Sequence, residues 1–352
     1  MKDKIIFADQ LRILAFASVI FVHWFATYFV MPSLVSSITG SADLPIQHSG
    51  IYDRMLPFFL PGFNYGPFGV AIFFMISGFV IPFSCEKRNG ASFLKARFLR
   101  IYMPYSIALL ISLLFVYLTS RYYWHTDYKV SLVELITNIT LTNSLFGIKS
   151  IDIINWSLSI EIKFYIFCCI IIKFIRSGSF KPFILLGLAS VLFNFLHHKT
   201  PSELPLELMF ITYMSIGVLF NYLITGRIKK TNFCIMLVIQ FFFFSCSMYF
   251  STRSTGFFIE VMSAIYGILI FGLCFNFRDK FKEKVYLSRI SSITYPVYIL
   301  HFIIGLGLIK IFINEGFSYL TAVLLSLLLV FFIASIMHIF VEKKSIALGR
   351  SL

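Results

Sequence analysis

The chain has 352 residues, of which 59% are hydrophobic and 13% charged, and its mean hydropathy is +0.87. Soluble domains hold about 45–50% apolar and about 25% charged residues, so a water-soluble globular protein is excluded. The formal net charge of +14 would suit nucleic acid, but the cations lie in short connections between apolar runs, and no nucleic-acid partner is expected.

Apolar runs near the ~20 residues needed to cross a bilayer recur along the whole chain. They predict ten transmembrane helices near 12–31, 66–83, 101–119, 157–174, 182–196, 207–225, 233–251, 257–277, 290–312 and 318–340. The expectation is an all-α polytopic membrane protein forming a single integral-membrane domain over residues 1–352. It has no internal repeat and no hydrophilic stretch long enough for a fused soluble domain. With the N-terminus in the cytoplasm, the inner connections collect Lys87, Arg88, Lys95, Arg97, Arg100, Arg176, Arg227 and the basic cluster at 278–289. The outer ones keep only Arg54, Arg121, Lys129, Lys149, Lys199 and Arg253. This positive-inside bias agrees with an even helix count and both termini cytoplasmic. Attraction to anionic membrane lipid accounts for most of these cations by itself.

The first run is too long for a signal-peptide core, contains Arg12 and lacks a small-residue cleavage site, so it reads as a retained helix. Within it Arg12 and His23 are eleven residues apart, about three helical turns, which puts both on one face roughly 16 Å apart along the axis. Asp9, one turn before Arg12, shares that face. Ionisable groups at membrane depth usually face a polar cavity, which makes His23 a functional candidate; a histidine hydrogen-bonded to a neighbouring helix is the alternative. The outer segment 32–65 is broken by Pro32, Pro45, Pro57 and Pro61 and predicts an irregular cap. Ser77 and Gly78 in the second run read as small residues for close helix approach, a serine nucleophile being the weaker reading.

Arg97 and Arg100, before the third run, are neighbours on one face if the stretch is helical. Paired guanidiniums suit bidentate binding of phosphate, as in the 3′-phosphate and pyrophosphate of coenzyme A. Anchoring to lipid phosphate explains them equally well. The outer segment 120–156 holds a weakly amphipathic run, Val130 to Phe146, suited to the membrane surface. At the start of the fourth run stands Asn155-Trp156-Ser157-Leu158-Ser159-Ile160-Glu161. Glu161 is a candidate for positioning a hydroxyl acceptor or orienting a catalytic histidine, Trp156 an interfacial anchor, and an ion pair with nearby Lys163 the bland account. Thr294, Tyr298 and His301 form an i, i+4, i+7 stripe, with His301 near mid-depth like His23, so the two histidines are expected to line one cavity. His338, His48, His125, His197 and His198 read as structural. The six cysteines show neither metal spacing nor a disulfide framework, so no metal site is expected.

Together and in order these segments resemble the acyltransferase family 3 of bacterial membrane enzymes. The residues that carry the resemblance run from 9 to 342. They are Asp9-Gln10-Leu11-Arg12 with His23, Phe73-Phe74 with Ser77-Gly78-Phe79, and Arg97 with Arg100 before Ile101 and Pro104. Trp156-Ser157-Leu158 with Glu161 and Phe164-Tyr165, Tyr295 with Tyr298 and His301, and Glu342 complete the set. Two positions depart from the family pattern: Ile13 follows Arg12 where a glycine is common, and Lys343 follows Glu342 where a proline is common. No fused esterase-like domain, as some relatives carry, is expected.

The resemblance implies an enzyme of the bacterial inner membrane. Cytoplasmic acyl-CoA, most simply acetyl-CoA, would be the donor substrate, with no permanently bound cofactor. The acceptor would be a lipid-linked or surface glycan such as lipopolysaccharide O-antigen. In that frame His23 is the general base, with Glu161, Arg12 and His301 as further catalytic candidates. Arg97, Arg100 and Arg12 bind the donor, and Asp9, Ser77, Trp156 and Tyr298 support the site. A two-step route through an acyl-enzyme, a non-glycan acceptor, and a transporter whose cavity holds the same residues are the alternatives.

Overall fold

The computed structural model describes residues 5–44, 63–196 and 203–351. His48, His197, His198 and Pro45, Pro57 and Pro61 of the sequence reading lie outside the described residues. Every regular element among the described residues is helical, as a bilayer demands: without water, backbone N–H and C=O groups must pair within the segment.

The elements in chain order begin with α1 (Ile6–Val22), α2 (Tyr28–Val30), α3 (Pro32–Thr39), α4 (Tyr65–Lys87), α5 (Gly90–Thr119) and α6 (Leu132–Ile139). The middle of the chain forms α7 (Asn155–Ile170), α8 (Ile172–Ser177), α9 (Lys181–Leu196), α10 (Leu204–Ile224) and α11 (Lys230–Phe250). The last are α12 (Phe257–Asn276), α13 (Val285–Leu300), α14 (Leu306–Asn314), α15 (Tyr319–Met337) and α16 (Lys343–Ser351). Among the described residues eight helices are long and apolar enough to cross a membrane, and they coincide with eight of the ten expected crossings. The other two are shorter. The 157–174 run breaks at Ile171 into α7 and α8, and α9 is 16 residues long. The chain is thus a polytopic all-α membrane protein.

Helix α4 is the hub, packed against α1, α7, α10 and α12. Small residues permit that crowding. A Cβ on Gly78 would stand 1.9 Å from the Met214 carbonyl oxygen, and one on Gly217 would stand 2.3 Å from that of Met75. The backbones of α4 and α10 therefore touch at a glycine pair, as the sequence suggested for Gly78. Ser77 does something else, described below. Residues 32–39 of the segment expected to be irregular form a helix, while residues 45–62 lie outside the described residues: α3 starts with Pro32 at its N-terminus, where a missing N–H costs nothing, and ends at Gly40 with φ of 59°. The amphipathic run beyond residue 130 forms α6, opened by a Ser131/Glu134 capping box, with Leu132, Val133 and Ile136 exposed on its apolar side.

Three helical segments each widen to a π-helical turn that begins with a histidine: His23–Thr27, His301–Gly305 and His338–Glu342. Such turns frequently occur at functional sites, and they leave carbonyls without their usual partners. Here side chains take over. Trp24 Nε1 donates to the His301 carbonyl at 3.0 Å, and the Tyr319 hydroxyl donates to the Trp24 carbonyl.

Candidate active site

Two cavities lie end to end inside the bundle. The first, about 320 Å3, is lined by Arg12, Arg97, Arg100, Ser77, Glu161 and Tyr298 among others, and the second, about 260 Å3, by His23, Trp156, Arg253, Glu260 and again Tyr298. Val70 and Phe74 also border both. Beyond the first cavity a larger hollow of about 630 Å3 shares Arg97 and Arg100 with it and adds Lys87, Arg88, Arg278 and Arg350. The three hollows thus lie in series from a strongly basic mouth towards His23, with Val70, Phe74 and Tyr298 between the first cavity and the second.

The arginines sit in the first cavity because α5 extends back to Gly90, with Asn89 as its cap accepting from Ser92 N at 2.8 Å. Arg97 and Arg100 are thus helical, the condition under which their spacing makes them neighbours on one face. Arg97 donates to Ser84 Oγ and lies over the rings of Phe93 (5.9 Å) and Tyr165 (5.6 Å), while Arg12 pairs with Asp9. These few bonds leave most of the five N–H donors of each guanidinium free for an anion. Glu161 balances part of this charge. It accepts from Ser77 Oγ at 2.8 Å and from the Tyr165 hydroxyl. Ser77 accordingly spends its proton on the Glu161 carboxylate, and no histidine contacts it among the described residues. Lys163 does not pair with Glu161 either. It faces Glu207 at 2.5 Å, in a cluster with Ser144 and Ser159.

His23 Nδ1 lies 2.8 Å from His301 Nε2, with the rings inclined by only 12°. His301 is fully buried, and its Nδ1 lies 2.5 Å from the Tyr298 carbonyl oxygen. A carbonyl can only accept, so His301 carries its proton on Nδ1 and donates it there. With both rings neutral, His301 Nε2 is then the acceptor and His23 Nδ1 the donor, which leaves the lone pair of His23 on Nε2. The two histidines meet as expected, but His301 stands behind His23 rather than in the cavity. Arg12 and His23, on one helix face, border different cavities because Val70, Phe74 and Tyr298 form a wall between them.

Trp156 meets Phe210 at 5.2 Å and carries Arg253 over its ring at 4.8 Å, with Glu260 3.9 Å from Arg253. Three residues of the site carry no expectation of a role from the sequence, in which Arg253 reads only as an outer-loop cation and Glu260 is not singled out. His338, which reads as structural in the sequence, is the third. His338 borders the first cavity, and its Nδ1 lies 2.6 Å from Glu342 Oε2. Its signal in the sequence is the i, i+4 spacing to a glutamate at the end of an apolar run. All six cysteines are free, and among the described residues no cluster of His, Cys, Asp or Glu fits a metal ion.

Searches of curated proteins and of solved structures each find no match for this chain. A family model described as an acyltransferase domain does match, over residues 5–339. The chain, an all-helical membrane protein with these two joined cavities, therefore belongs to acyltransferase family 3 and is a membrane acyltransferase.

Proposed function

We propose that this acyltransferase moves an acyl group, most simply acetyl, from acyl-CoA at the cytoplasmic face to a sugar hydroxyl of a surface glycan at the opposite face of the bacterial inner membrane. The observation that carries this reading is the hydrogen-bonded chain from His23 through His301 to the Tyr298 carbonyl. It supplies an oriented base on a residue that lines the cavity on the far side from the arginines. A neutral imidazole with a free ring lone pair suits proton abstraction from a hydroxyl.

The other parts of the site support the same division of labour. The basic mouth and Arg12, Arg97 and Arg100 match the phosphates of coenzyme A, since guanidinium forks hold phosphate better than single ammonium groups. Glu161, hydrogen-bonded to Ser77 and Tyr165, places a negative charge in the same cavity as the arginines and offsets part of their mutual repulsion. The cavity of His23, Trp156, Arg253 and Glu260 offers an aromatic surface with one donor and one acceptor group beside it, which suits a sugar ring and its hydroxyls. The acyl chain would then reach the wall between the cavities, and the acceptor oxygen would attack it there directly.

The test supplies radiolabelled acetyl-CoA to inside-out membrane vesicles of a strain making the protein and follows label into the extracted glycan. Label in glycan from vesicles with the protein and none from vesicles lacking it is expected. Uptake of intact donor without an acylated product would instead mark a carrier, and label confined to protein would refute the glycan acceptor.

A further inference from the structure

If donor and acceptor enter from opposite cavities, the reacting carbonyl sits where the cavities join. Three residues border both, Val70, Phe74 and Tyr298, and only Tyr298 is polar. Its side chain is held firmly. The ring lies 5.6 Å from those of Phe73 and His301, the residue is 7% exposed, and the hydroxyl is 2.7 Å from Ser157 Oγ. Ser157 in turn donates to the Ile154 carbonyl at 3.1 Å. The same tyrosine also accepts, through its carbonyl, the hydrogen bond that fixes the tautomer of His301.

We propose that the Tyr298 hydroxyl is the hydrogen-bond donor to the oxyanion formed during acyl transfer, with Ser157 as its positioning residue. The inference rests on the reading of His23 as the base. The acceptor oxygen bonds to the thioester carbonyl carbon, its proton passes to His23 Nε2, and the carbonyl π pair moves onto the carbonyl oxygen. That oxyanion accepts a hydrogen bond from Tyr298. On collapse the C=O bond re-forms, the C–S bond breaks, and the leaving thiolate takes the proton from His23, giving an ester and free coenzyme A.

The hydroxyl pair is built for such an exchange. At rest Ser157 spends its proton on the Ile154 carbonyl, so the proton of Tyr298 points to Ser157 Oγ. A charged oxygen is a stronger acceptor than a neutral hydroxyl, by roughly twofold in hydrogen-bond strength. Tyr298 therefore turns to the oxyanion as it forms, and Ser157 can turn its own proton toward the Tyr298 oxygen. A bond made only in the transition state raises kcat and leaves substrate binding alone. Ser77, whose proton is committed to Glu161, has no such freedom.

The experiment measures label transfer from acetyl-CoA in inside-out vesicles for Tyr298→Phe, Ser157→Ala and His23→Ala. Tyr298→Phe should lower kcat by about 100- to 1,000-fold, the usual cost of one oxyanion donor, with an unchanged KM for acetyl-CoA. Ser157→Ala should lower kcat by a smaller factor. Replacing Tyr298 by 3-fluorotyrosine keeps shape and hydroxyl but alters its acidity, and should change kcat, which a purely structural tyrosine would not do. Wild-type kcat in both the Phe and the fluorotyrosine proteins, with His23→Ala inactive, would overturn the role of Tyr298 and leave the base standing. Wild-type transfer by His23→Ala would remove the reading on which the inference rests.

Discussion

Trp24 and Gly305 lock the two histidine-bearing turns together. A Cβ on Gly305 would stand 2.4 Å from the Trp24 ring, and the same indole donates to the His301 carbonyl at 3.0 Å. The distance between His23 and His301 is therefore set by one glycine and one tryptophan. Gly305→Ala should push the indole away, separate the imidazoles and lower transfer by about 100-fold, the order of loss for an ångström of misplacement. Trp24→Phe, which loses the hydrogen bond but keeps most of the packing, should cost less. Initial rates of label transfer, normalised to protein in the membrane, check both; equal, near-wild-type rates would show that the turns do not need this lock.

The donor arginines should act on acyl-CoA alone. Arg100 makes no hydrogen bond within the described residues, so Arg100→Ala should raise the KM for acyl-CoA by about tenfold while the acceptor dependence is unchanged. Lysine should restore part of the affinity, as a point charge replacing a fork. Arg97→Ala should also lose packing against Tyr165 and Phe93, and with it some protein in the membrane. An unaltered KM for acyl-CoA in Arg100→Ala would leave these residues as lipid anchors.

Sidedness is the third expectation. Lys129 and Lys344 are both exposed, on segments assigned to opposite faces. In a protein whose exposed Cys234 is replaced by serine, Lys129→Cys should react with a membrane-impermeant thiol reagent in intact spheroplasts. Lys344→Cys should react only after permeabilisation. The reverse pattern would put the arginine mouth outside the cell and contradict a cytoplasmic donor.

Much of the site was legible because a bilayer makes charge conspicuous. Arg12, His23, Arg97, Arg100, Glu161 and His301 stand in or beside apolar runs, and all of them either border the joined cavities or support a residue that does. What could not be read was the partition between them. Helical periodicity put Arg12 and His23 on one face, but it carries no information about Val70, Phe74 and Tyr298, which come from other helices and wall the two apart. Periodicity also fails where a π-helical turn inserts an extra residue, and His338 sits at the start of such a turn. Its pairing with Glu342 is visible as an i, i+4 spacing, but its place in the first cavity depends on how the other helices pack around it. Arg253 and Trp156 meet across nearly a hundred residues of sequence, and no local pattern announces that contact.

The account depends most on His23. Its Nδ1 is engaged with His301, so the nitrogen left to take the proton is Nε2, and no other histidine in the described residues borders the acceptor cavity. The decisive measurement is label transfer from acetyl-CoA to glycan by His23→Ala, in vesicles that hold the protein at wild-type level and bind acetyl-CoA with wild-type affinity. The account predicts loss of at least about 100-fold in kcat with that affinity intact, in line with the removal of a general base. Transfer at the wild-type rate by this variant would contradict it.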